Sequence, residues 1–238
     1  MTMFSSEVRA VADQLDNPVW HALVGPHARF ALGRGQARHY PRDMAPFSAI
    51  AVETADAYAD LASDLPLGTE ARLFRPADEP VSPGWIAVDA FPMLQMVMTQ
   101  LRAEAPAGAP PIDLSRDDAG SMMELVQIAQ PGPFGPRTIE LGAYIGVRNG
   151  GQLVAMAGER MRLAGLVEIS AISTHPAERG RGLAGLLTYT LAKRALSRGE
   201  TPFLHVRPGN EAAISVYRRL GFEIRRKLWV LWRQPAVS

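Results

Sequence analysis

The sequence predicts an α/β protein, a mixed sheet covered by helices. Three observations carry that class. In residues 113–238, apolar runs with strand-like alternation take turns with apolar positions at helical spacing. A small-residue turn, Gly180-Arg181-Gly182-Leu183-Ala184-Gly185, stands between one such strand and one such helix. Two further apolar runs meet around Asn149-Gly150, a dipeptide that favours a tight hairpin.

In chain order, the first half is sparsely marked. Asn17-Pro18 reads as a helix start, residues 45–62 as helical or mixed, and Trp85 to Val88 after Pro83-Gly84 as a short strand. Ala105 to Pro111 is proline-rich and reads as a linker, which divides an N-terminal α/β region (1–112) from a second domain (113–238). Beyond it, Ser115 caps a helix through Met122, Met123, Leu125, Val126 and Ile128 that stops before Pro131. Ile139 to Val147 and Gln152 to Ala157 form the hairpin. Leu166 to Ser173 is a strand in which Val167, Ile169 and Ala171 alternate against Glu168 and Ser170. A helix from Leu183 carries Leu186, Leu187 and Leu191 inward and ends at Gly199. Phe203 to Val206 reads as a buried strand. Asn210 caps a helix with Ala213, Val216, Tyr217 and Leu220 on its inner face, closed by Gly221. Leu228 to Trp232 is the final strand.

Composition narrows the chemistry. A chain of 238 residues, 47% hydrophobic and 21% charged, has the balance of a globular protein that buries its own core. It has no cysteine, which excludes a disulfide scaffold, a thiolate metal site and a cysteine nucleophile. The N-terminus has Glu7 and no apolar core, unlike a signal peptide. The apolar stretch Trp85 to Leu101 is broken by Asp89 and Pro92, so no membrane span is expected and the chain reads as cytoplasmic. Residues 1–112 carry 8 basic and 13 acidic side chains, residues 113–238 carry 17 and 11, so the second half is basic and suited to an anion.

The glycine-rich turn is where an anion would bind. The first N–H groups of a helix lack intrahelical partners, and the macrodipole adds partial positive charge. The plainer reading is an ordinary helix entry with solvated arginines. Gly180-x-Gly182-x-x-Gly185 matches the dinucleotide fingerprint, but six residues separate it from its strand and the next strand ends in Arg207-Pro208 without an acidic residue. Arg179-x-x-Gly182-x-Ala184, followed by Asn210-Glu211-Ala212-Ala213-Ile214-Ser215-Val216-Tyr217 and Gly221-Phe222, resembles the GNAT superfamily of acyl-CoA-dependent N-acyltransferases. The resemblance covers about residues 113–233 and is sharpest from Val167 to Phe222.

That resemblance implies a GNAT fold whose neighbouring parallel strands, here 166–173 and 203–206, splay apart around coenzyme A. It implies that main-chain groups of Ile172, Ser173 and Thr174 pair with the pantetheine arm. The amides of Arg179, Gly180, Arg181, Gly182, Leu183, Ala184 and Gly185 would hold the pyrophosphate, with Asn210 on the cofactor arm. Tyr217 matches the family's usual proton donor to the leaving thiolate, and its spacing equally fits a core aromatic. Glu168 lies near where many members carry a base, and a solvated strand face is the plainer alternative. The implied activity is acetyl transfer from acetyl-CoA to a primary amine, on a small molecule or a peptide, by direct attack. A non-catalytic CoA-binding or regulatory module and, more remotely, an NAD(P)-dependent oxidoreductase are the alternatives. The five histidines lack metal-ligand spacing, so no metal is expected. Ser173, His175 and Glu168 lack a nucleophile elbow. The basic run Arg225-Arg226-Lys227 has no interleaved aromatics, which argues against nucleic acid. A homodimer is compatible with these features.

Overall fold

The computed structural model describes residues 13–66, 68–102, 108 and 110–236. The N-terminal segment before Asp13 and most of the proline-rich linker (105–107 and 109) lie outside the described residues. The elements are mixed as expected: α1 (Pro18–Leu23), β1 (Ala37–His39), β2 (Ser48–Ile50), α2 (Ala55–Asp64), β3 (Ala71–Arg75), β4 (Trp85–Met98), β5 (Ile112–Leu114), α3 (Ala119–Ala129), β6 (Tyr144–Asn149), β7 (Gln152–Leu163), β8 (Leu166–Thr174), α4 (Leu183–Ser197), β9 (Thr201–Val206), α5 (Glu211–Leu220) and β10 (Phe222–Pro235). β1 and β2 form a two-stranded sheet, and the other eight strands follow the order β3-β10-β4-β9-β8-β7-β6-β5. Within it β8 and β9 run parallel, whereas β4–β9, β5–β6, β6–β7 and β7–β8 are antiparallel.

The described residues form two compact units, one within 1–42, 46–93 and 227–238, the other within 43–45 and 94–226. Their boundary differs from the division near residue 112, because the long strand β4 passes from one unit into the other at residues 93 and 94. In the first unit Ile50, Tyr58, Leu61, Leu73 and Trp85 make the core, with Tyr58 and Trp85 edge to face at 5.3 Å. Thr54 caps α2 by accepting from the Ala57 amide at 3.2 Å. Within the apolar stretch Trp85 to Leu101, residues Trp85 to Met98 form one strand of 14 residues. Among the described residues no helix is long and apolar enough to cross a membrane.

In the second unit, one core cluster lies beneath α4 and α5 and includes Met96, Ile169, Leu187, Leu191, Leu204, Tyr217 and Phe222. Another lies beneath α3 and includes Met122, Leu125, Tyr144, Leu153 and Met156. Sequence dictates these helices locally. Ser115 and Asp118 form a capping box that opens a 3-10 turn leading into α3, and Gln130 closes α3 in the left-handed region before Pro131. The β6–β7 hairpin turns on Gly150-Gly151, one residue later than Asn149-Gly150. Both glycines have positive φ (56° and 86°), which a two-residue primed turn requires.

A closed ring of ion pairs ties β7 to the connection between α4 and β9. Glu159 accepts from Arg162 and Arg198 at 2.6 Å each, and Glu200 receives Arg198 at 2.8 Å and Arg162 at 3.2 Å.

Candidate functional site

The site begins where two strands stop pairing. β8 and β9 share the rungs Leu166↔Thr201, Val167↔Pro202 and Glu168↔Phe203, and no later rung joins them among the described residues. β8 nevertheless continues to Thr174 and β9 to Val206. The edge of β8 that faces β9 is therefore free of strand partners beyond Glu168, and the parallel strands part there into a cleft.

The other edge of β8 stays on β7, with a shift between Gly158↔Ser170 and Met156↔Ser173 that inserts one extra residue into β8. Ala171 takes up the insertion at φ 53°, a left-handed conformation that costs an L-residue about 1–2 kcal/mol. Ile169 and Ile172 consequently pack on the same core cluster despite their odd separation, while Ala171 packs on the opposite one. The alternation expected over Val167, Ile169 and Ala171 thus breaks at Ala171. Ser173 is buried, and its hydroxyl donates to the Ala171 carbonyl at 3.0 Å.

The glycine-rich turn leads into α4 near this cleft in sequence. Gly180 and Gly182 have φ of 80° and 78°, and a Cβ on either would meet nothing within 4 Å. They are glycines for conformation and open approach, not for internal packing. The first helical bond runs from the Leu186 amide to the Gly182 carbonyl at 3.0 Å, so the amides of Leu183, Ala184 and Gly185 have no helix partner. Among the described residues none of the amides from Gly180 to Gly185 donates to a protein acceptor. This run of amides, unobstructed by side-chain carbons, fits a diphosphate. Arg181 is less available than expected: it pairs with Glu178, which also accepts from Asn149 Nδ2 at 2.9 Å. That link ties the turn to the β6–β7 hairpin. Arg179 remains exposed.

Tyr217 and Asn210 come from α5. Tyr217 is 7% exposed and meets Phe222 edge to face at 6.1 Å. Its hydroxyl has no hydrogen-bond partner among the described residues, and burial pushes its phenol up to about 12. It packs as a core aromatic and also keeps its proton at neutral pH. The Asn210 side-chain carbonyl accepts from the Ala213 amide at 3.2 Å, so it caps the helix, leaving Nδ2 outside the cap.

Glu168 is not on a solvated face; its side chain is 0% exposed. Arg160 grips it with two bonds, Nε to Oε2 at 2.8 Å and Nη2 to Oε1 at 2.6 Å, and His205 Nδ1 lies 2.8 Å from Oε1. Burial pushes the carboxyl up, but the Arg160 charge and the bonds from His205 and Arg160 outweigh it and hold the pKa down to about 2. A folded pKa below the ordinary 4.5 stabilises the protein above pH 4.5, and that contribution disappears as pH falls from 4.5 towards 2. Melting temperatures across this window should fall more steeply for the wild type than for Glu168→Gln.

Arg160 and His205 were not singled out by sequence reasoning. The available signals were a histidine inside the apolar strand 203–206 and an arginine in a run otherwise able to bury, Gln152 to Leu163. Ser173, His175 and Glu168 are not brought together: Ser173 bonds Ala171, His175 Nδ1 accepts from the Ala177 amide, and Glu168 bonds Arg160 and His205.

Known proteins resemble this chain in sequence and fold. The family described as FR47-like protein matches residues 144–230, from β6 into β10. A crystal structure from Novosphingobium aromaticivorans, described as coming from the GNAT family, is 34% identical, with a TM-score of 0.84 over 94% of this chain and 99% of that one. The chain belongs to the GNAT family. A GCN5-related N-acetyltransferase from Kribbella flavida, 20% identical with a TM-score of 0.58, covers 99% of this GNAT chain and 98% of its own, and supports the fold. Among curated proteins, the N-alpha-acetyltransferase RimI of Mycobacterium tuberculosis is 38% identical over 93 residues, 36% of this chain and 57% of that protein. The mycothiol acetyltransferase of Mycolicibacterium vanbaalenii is 39% identical over 80 residues, 31% of this chain and 27% of its own. The GNAT chain thus spans little more than half of the first curated relative and about a quarter of the second.

Proposed function

We propose that this chain is an acetyl-CoA-dependent N-acetyltransferase that acts on a primary amine. The observation that carries this reading is the strand fork beyond Glu168 and Phe203, followed in the chain by unpaired amides at the start of a 15-residue helix. When bound, acetyl-CoA supplies an acyl group activated as a thioester. Amides of residues 180–185 bind its pyrophosphate, since the Arg179 amide already donates to the Pro176 carbonyl at 3.3 Å, and the main chain of Ile172, Ser173 and Thr174 takes its arm as an added strand. Asn210 Nδ2, which lies outside the helix cap, would donate to the same arm. Tyr217 holds a proton on its phenol oxygen and lends it to the departing sulfur, whose parent pKa is about 8.5. Glu168, with a carboxyl held near 2, is a weak base as it stands; its charge anchors Arg160 and His205.

The relatives' names cover N-alpha-acetyl transfer and mycothiol acetylation. Acceptors to test are therefore peptide α-amines and small primary amines. Calorimetry with acetyl-CoA, followed by release of free CoA across an acceptor panel, checks the reading. Binding of NADPH in place of acetyl-CoA, or binding with no CoA release on any acceptor, would overturn it.

Gly182→Val should raise the acetyl-CoA Kd at least ~10-fold, a loss of about 1.4 kcal/mol. The added carbons enter the open approach, and φ 78° strains any β-branched residue. Unchanged affinity in the folded variant would sink the assignment of the turn.

A further inference from the structure

We propose that His205 is a positioning residue that sets the opening of the cofactor cleft; this rests on the function proposed above. Five side chains on adjacent strands form one row: Arg225 on β10, Gln95 on β4, His205 on β9, Glu168 on β8 and Arg160 on β7. Arg225 Nη1 donates to Gln95 Oε1 at 2.8 Å, and Gln95 Nε2 lies 3.1 Å from His205 Nε2. A guanidinium has only donors, so the Gln95 carbonyl faces Arg225 and its NH₂ faces the imidazole. His205 Nε2 must then accept, which leaves the ring hydrogen on Nδ1, directed at Glu168 Oε1 at 2.8 Å. A hydrogen on Nε2 would set two donors against each other. The row thereby selects one tautomer and one ring orientation.

Its place in the fold gives that selection a purpose. The last backbone rung between β8 and β9 is Glu168↔Phe203, and His205 lies two residues beyond it on β9. The imidazole reaches back to Glu168, so a side-chain bond closes the vertex where backbone bonding ends. The Gln95 and Glu168 side chains are 0% exposed and that of His205 is 1% exposed. Well-packed apolar residues would serve stability as well as such a buried polar row. What the row adds is a fixed distance between the strands as they part. The angle of departure sets where the main chain of residues 172–174 lies, and hence how it meets the cofactor arm.

The test compares acetyl-CoA Kd by calorimetry in three variants. His205→Leu, which removes both bonds, should raise Kd ~10-fold or more. His205→Gln, whose carboxamide can donate to Glu168 and accept from Gln95, should restore affinity to within about threefold, under 1 kcal/mol. Arg198→Met breaks the Glu159 ion-pair ring instead and should lower Tm without moving Kd. If the leucine variant does not fold, Gln95→Leu removes the Gln95 bond to the imidazole Nε2 and carries the same expected rise. In the wild type, ¹⁵N spectra should show a single Nδ1–H tautomer for His205. Wild-type affinity in the folded His205→Leu protein, or in Gln95→Leu where the leucine variant does not fold, would overturn the inference, as would a wild-type ring with its hydrogen on Nε2. Failure of the wild type itself to bind acetyl-CoA would sink the proposed function instead, and the spectra would still report on the row.

Discussion

Tyr217→Phe is expected to lower turnover by about 10²–10⁴-fold while acetyl-CoA affinity and Tm change little. The substitution keeps the ring, its edge-to-face contact with Phe222 and its place in the core, and removes only the phenolic proton. Because the hydroxyl has no protein partner among the described residues, its loss leaves no donor or acceptor stranded, so stability has little reason to fall. Burial keeps the phenol protonated well past neutral pH, as an acid must be if it is to meet a departing thiolate. Turnover and melting measured on the same sample separate the two readings of this residue. Near-normal turnover in the phenylalanine variant, on an acceptor the wild type uses, would end the proton-donor assignment.

Arg160→Met should be the most destabilising of the substitutions considered, by about 3–5 kcal/mol. Methionine roughly replaces the aliphatic stem, but Glu168 loses two charge-assisted bonds while remaining inside the sheet. For a chain of this size the loss corresponds to a Tm lower by roughly 6–20 °C. Adding Glu168→Gln to Arg160→Met should recover part of it, because the unpaired charge goes with the carboxylate. A double-mutant cycle by thermal or urea melting measures that coupling. Additive losses would show that the pair contributes through packing and not through its charges.

Much of this was legible in the sequence, for identifiable reasons. The helix 211–220 announced itself by an Asn210 cap, an inner face at helical spacing and a Gly221 stop, all local signals. The glycine-rich turn was equally plain, because positive φ and missing Cβ atoms are written in residue identity. The first unit was less legible: the helix start at Asn17-Pro18 and the strand from Trp85 showed, but β1 and β2 have three residues each, too few for a period to show. The polar row was hidden for a different reason. Its members come from positions 95, 160, 168, 205 and 225, and only sheet order makes them neighbours. A glutamate alone suggested a base or a wet surface; the arginine that silences it is set by the register of another strand.

The extra residue at Ala171 gives β8 a reading frame. Positions up to Ile169 and positions from Ile172 onward are written in opposite phase, and each half makes sense only with that one-residue insertion between them. Straightening the strand with every residue in place would turn Ile172, Ser173 and Thr174 inside out, whereas deleting Ala171 itself would join Ser170 to Ile172 in regular alternation and leave those three on their present faces. Point substitutions along this strand are graded in their effects, but a length change is not.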